Sequence, residues 1–74
     1  MNSERLAAAL DGARWVRYDP NGFVLAWFGA HGLHVYDADS GVEVEYLSVG
    51  DFGRASATHH EVADAAQCWI NEIS

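Results

Sequence analysis

From Ala13 to Val49, apolar runs rich in Val, Trp, Tyr, Phe and Leu alternate with three short breaks: Asp19-Pro20-Asn21-Gly22, Ala30-His31-Gly32 and Asp37-Ala38-Asp39-Ser40-Gly41. Breaks this short turn a chain back on itself, because a crossover between parallel strands needs about a dozen residues or more. Four antiparallel strands in a meander are therefore expected. At the first turn Pro20 presets φ, and Asn21 and Gly22 are the residues expected to accept the positive φ of a reversal.

Helical signals flank this stretch. The polar start Asn2-Ser3-Glu4 offers a candidate N-cap, and Leu6, Ala7, Ala9 and Leu10 recur at helical spacing until Asp11-Gly12 stops the run. Near the C-terminus Thr58 precedes Glu61 by three, the spacing of a reciprocal capping box. Val62, Ala65, Ala66, Trp69, Ile70 and Ile73 then form one apolar stripe, with Cys68 on the polar side. The expected fold class is α+β: a short N-terminal helix, a four-stranded antiparallel meander, and a C-terminal amphipathic helix packed on one sheet face. With 74 residues and no linker or repeat, residues 1–74 are expected to form one domain.

The charge narrows the range of partners. Eleven acidic residues face four arginines and no lysine, for a formal net charge of −7. Such a surface repels nucleic acid and anionic membrane and attracts basic proteins, while also serving solubility. No apolar run reaches the roughly 18 residues of a membrane span, no signal peptide is evident, and the lone Cys68 forms no internal disulfide. A cytoplasmic location is expected.

In the fourth strand Val42, Val44 and Tyr46 alternate with Glu43 and Glu45, which predicts one packed face and one acidic wet face. The second strand, Phe23 to Phe28, is apolar on both parities, so one sheet face is expected to stay partly open beside those carboxylates. Exposed apolar surface rimmed by charge marks an interface.

Catalytic and metal chemistry find little support. His31 and His34 are expected on opposite faces, and His59 and His60 diverge by about 100° on a helix, so no zinc spacing arises. Cys68 lies more than about 10 Å along the helix from His60, too far for a nucleophile and base. Glu43 and Glu45, about 7 Å apart on one strand face, have a spacing compatible with glycosidic acid/base work but sit on an open sheet without a cleft. Gly50-Asp51-Phe52-Gly53 lacks the lysine and spacing of a phosphate loop, and no RNA-binding aromatic motif is present. The chain is expected to be no enzyme, with no cofactor and no metal.

The layout of a small acidic chain, antiparallel strands and a capped terminal helix from Thr58-His59-His60-Glu61 to Trp69-Ile70 resembles the small phage-encoded anti-CRISPR proteins. It is a likeness of architecture and charge over most of the chain, with no diagnostic motif, so no family residue carries over by position. The resemblance implies an inhibitor acting by occlusion in the host cytoplasm. The expected partner is a basic protein or ribonucleoprotein complex whose nucleic-acid-binding surface is blocked by carboxylates mimicking phosphates. The expected contact residues are Asp37, Asp39, Glu43 and Glu45, with Asp51 nearby. The alternative is a structural homodimer that pairs through the open sheet face or an edge strand, its acidity serving only solubility.

Overall fold

Each short break in the strand region reverses the chain. A computed structural model, which describes residues 3–73, shows helix α1 (Ser3–Ala9), strands β1 (Trp15–Asp19), β2 (Phe23–Trp27), β3 (Gly32–Asp37) and β4 (Glu43–Ser48), and helix α2 (His59–Ile73). The strands form one antiparallel sheet in the order β1-β2-β3-β4, so the architecture is the expected α+β meander between two helices. Asn2, the first residue of the polar start that offers the candidate N-cap, lies outside the described residues.

The first turn is closed by Gly22 N–H donating to Asp19 O at 3.0 Å, and Asn21 N–H donates to the Asp19 carboxylate at 3.2 Å. Only Gly22 takes a positive φ, at 95°; Asn21 does not, which corrects the expectation for that residue. A type I turn over Asp19–Gly22, with Pro20 at its second position and a left-handed glycine at its end, fits a three-residue loop better than a two-residue reversal.

The capping box of α2 forms as its spacing predicts. Glu61 N–H donates to Thr58 Oγ1 at 3.2 Å, and Thr58 N–H donates to Glu61 Oε1 at 2.9 Å. The helix lays Val62, Ala66 and Ile70 on Leu25, Trp27, Leu33 and Val35, all buried, with Trp15, Phe23, Leu47, Ala65 and Trp69 packed around them. Each fully buried Leu or Val contributes about 2 kcal/mol of transfer free energy. Ile73, the last member of the stripe, emerges into solvent.

Two expectations about the sheet faces are corrected. One helix is about 10 Å wide and neighbouring strands are about 4.8 Å apart, so α2 roofs the central strands, while on the outer strands Trp15 and Leu47 pack, partly buried, against that core. Strand β4 is exposed on both parities except at Leu47: Val44 is 47% and Tyr46, on the face away from α2, 55% exposed, and Val42 just before the strand is 44% exposed, where a packed face was expected. Conversely, β2 has no open face. Val24 and Ala26 point away from α2 yet are fully buried, because Tyr18 and Tyr36 flank Val24 across the sheet while Val16 and His34 flank Ala26. Side chains larger than Ala26 thus stand on both sides of these positions across the sheet.

Helix α1 meets the sheet at the β3–β4 turn. Gly41 is buried with φ at 74°, and a Cβ there would lie 2.7 Å from Leu6 N and 2.9 Å from Arg5 Cγ. The contact requires glycine twice over, for its backbone conformation and for the close approach.

Candidate partner-binding edge

Strand β4 ends the sheet order, so one side of its backbone has no neighbouring strand. Val49 N–H donates to His31 O at 2.7 Å. Antiparallel alternation from that bond turns the backbone groups of Leu47 and Glu45 toward β3 and those of Tyr46 and Ser48 outward. A row of strand-type donors and acceptors is thus presented along the free edge.

The five carboxylates expected to act together are divided by the fold. A β-bulge shifts the register between Val35 and Tyr36, so that Glu45 stands opposite Val35 while Glu43 stands opposite Tyr36. Val44 is the extra residue, and Glu43 and Glu45 consequently project from opposite faces; the shared face expected from simple alternation is corrected. Asp51 is displaced further. It follows β4 in a loop tied to the β2–β3 turn, whereas Asp37 and Asp39 occupy the β3–β4 turn at the other end of a six-residue strand, about 20 Å away. The carboxylates therefore mark the length of one edge and its two ends, not a single patch.

Their roles differ as well. Asp37 Oδ1 accepts from Asp39 N–H and Ser40 N–H, both at 2.9 Å, and these bonds hold its carboxyl below the usual range. It is a turn-forming group. Glu43 Oε1 lies 2.8 Å from His34 Nδ1. Asp51 Oδ1 accepts from Gly53 N–H at 2.8 Å. Asp39 and Glu45 are exposed, and among the described residues neither carboxylate has a partner.

On the face away from α2, His34 is enclosed by rings: Tyr46 at 4.9 Å and Phe28 at 5.4 Å edge-on, and Tyr36 stacked at 6.2 Å. The Tyr46 ring lies over Gly32, where a Cβ would collide with it. Burial and the Glu43 charge both raise the Tyr36 hydroxyl above its ordinary value. These contacts fix Glu43, leaving Glu45 as the free carboxylate within the strand.

On the α2 side the gap left by the helix forms an open groove of about 210 Å³, lined by Leu47, Ser48, Ala65, Cys68, Trp69 and Glu72. Leu47 and Trp69 supply its apolar walls and Glu72 an acidic rim. Glu45 lies on the same face of β4 as Leu47, two residues and about 7 Å along the strand.

The Val49–Ala57 loop supports this end of the molecule. His31 Nδ1 and Nε2 lie 2.9 Å from Val49 O and 2.8 Å from Arg54 O, and its ring is 4.7 Å from Phe52. Arg54 pairs with Glu61, and that hydrogen bond, with the Thr58 N–H, lowers the Glu61 carboxyl from 4.5 to about 2. His59 packs edge-on against Trp27 while the exposed His60 pairs with Asp64. Among the described residues no three His, Cys, Asp or Glu side chains converge as a metal site, and no helix is long and apolar enough to cross a membrane.

No protein-family model, curated protein or solved structure matches the chain. The residues that sequence reasoning missed are those of the groove. Leu47, Ala65 and Trp69 were legible as apolar, but the groove depends on which strand the helix fails to cover. The available signal was that the last strand of a four-stranded meander is an edge.

Proposed function

We propose that this chain is a non-enzymatic binding module that docks on a basic protein surface of the kind that ordinarily holds nucleic acid, and so acts as an inhibitor by occlusion. The observation that carries the reading is β4: an edge strand exposed along nearly its whole length, with apolar Val44 and Tyr46 in it and Val42 just before it, beside the unpaired carboxylates Asp39 and Glu45. The net charge of −7 speeds encounter with a cationic surface, and the apolar side chains slow release. Phosphate mimicry here is a line of carboxylates along an edge, with Glu43 and Asp51 contributing to the field from the opposite face and the far end. Asp37 chiefly holds the turn that presents Asp39.

Binding to an arginine-rich peptide at rising ionic strength tests this reading. Affinity should fall at least about tenfold between roughly 0.05 M and 0.5 M salt as screening shortens the reach of the acidic edge. Affinity independent of salt contradicts it.

The homodimer is the second reading, and the exposed apolar edge favours it. Its sheet-face version loses its basis because β2 is buried on both faces. Pairing β4 with its own copy would oppose Glu43 and Glu45 with like charges across a bulged strand, a combination that natural edges use to prevent self-pairing. Sedimentation at rising protein concentration separates the two: a monomer supports the inhibitor, and a stable dimer supports the alternative.

A further inference from the structure

We infer that β4 accepts an added strand from a basic polypeptide, and that one aliphatic side chain of that strand enters the groove between β4 and α2. The inference deepens the basic-partner reading and presupposes it. Three observations converge. The outward backbone groups of Tyr46 and Ser48 form a template for main-chain pairing. The groove of about 210 Å³ opens beside that template, with Leu47, Ala65 and Trp69 available to an aliphatic group. Two carboxylates flank it: Glu45, two residues along the face from Leu47, and Glu72 across the groove.

The geometry specifies the occupant. Alternate residues of an added strand point to one face, so the residue seated beside Leu47 is aliphatic and its neighbour two positions along, level with Glu45, is a cation. Arginine suits that position because its planar fork pairs two-pronged with a carboxylate. The residue between them points to the Tyr46 side, where Glu43 is already engaged by His34, and carries no charge requirement. A second copy of this chain fits poorly. Its arginine-bearing strand, β1, keeps Trp15 packed against its own core, and its β4 adds only negative charge.

The test uses the whole protein, isotope-labelled for NMR, and three synthetic peptides. The first is Ser-Arg-Thr-Leu-Thr-Arg-Ser, whose symmetry places an arginine two residues from leucine in either direction. The second carries N-methyl groups on alternate backbone amides, and the third has alanine in place of leucine. Saturable shifts are expected at the Tyr46 and Ser48 amides and at the Trp69 indole, with the methylated and alanine peptides each binding at least about tenfold more weakly. Alkylating Cys68 with N-ethylmaleimide fills the groove and should weaken the leucine peptide to the level of the alanine one. Ser48→Pro removes an outward N–H from the edge and should have the effect of methylation; the peptide pair gives the same comparison with the protein unaltered.

Equal binding of the methylated peptide overturns strand addition while leaving the basic-partner reading intact. Equal binding of the alanine peptide, or indifference to Cys68 alkylation, overturns the groove assignment. No binding by any peptide at low salt overturns both this inference and the proposed function. Shifts of β4 with protein concentration alone would identify a second copy as the occupant and overturn the basic-segment assignment.

Discussion

Glu61 caps α2 through Thr58 and anchors the preceding loop through Arg54, and both bonds favour its ionised carboxylate. Its carboxyl is held at about 2, well below 4.5, so the ionised form favours the folded state. That contribution is fully present above the ordinary carboxylate range and is lost as pH falls from 4.5 toward about 2. Melting temperatures measured from neutral to strongly acidic pH should therefore drop across this window, and Glu61→Gln should flatten the drop. An unchanged pH profile in that variant would contradict the dual role. Gly41 is the other residue on which local geometry converges. Gly41→Ala meets both an unfavourable left-handed conformation and the backbone of α1, so a loss of about 2 kcal/mol or more is expected in denaturant unfolding. A neutral result would mean that α1 is not seated against the turn.

At the scale of elements, β4 combines a hazard with its safeguards. An exposed edge bearing Val42, Val44 and Tyr46 invites strand pairing, and the bulge at Val44 with the unpaired Glu45 opposes it. Glu45→Val should accordingly convert a monomer into a self-associating protein, seen as concentration-dependent light scattering; continued monodispersity would show that Glu45 is no safeguard. The terminal helix, apart from the exposed Ile73, was legible because its signals are local: Thr58 and Glu61 sit three apart, and Val62 to Ile70 repeat at helical spacing. The strand count and order were legible because short turns leave no other topology. The bulge was not, since nothing around Val44 announces it and its position is settled by how Val35 and Tyr36 pair across the sheet. That one extra residue placed Glu43 and Glu45 on opposite faces. Likewise the burial of Val24 and Ala26 depends on Tyr18, Tyr36 and His34 in neighbouring strands, which a reading of β2 alone cannot supply.

For the whole molecule the question is whether charge acts by amount or by placement. Four arginines cannot neutralise eleven acids, so any cation is attracted weakly from every side. The proposed docking requires more: the carboxylates beside β4 must matter more than equal charges elsewhere. Asp11, exposed and joining α1 to the far edge strand β1, supplies the control. Glu45→Arg and Asp11→Arg each raise the formal net charge by two from −7, leaving long-range attraction equally reduced. The most direct measurement is the affinity of both variants for the same arginine-bearing peptide at one ionic strength. The account predicts that Glu45→Arg weakens binding at least about tenfold more than Asp11→Arg does. Equal losses in the two variants would show that only net charge is sensed and would contradict an acidic binding edge at β4.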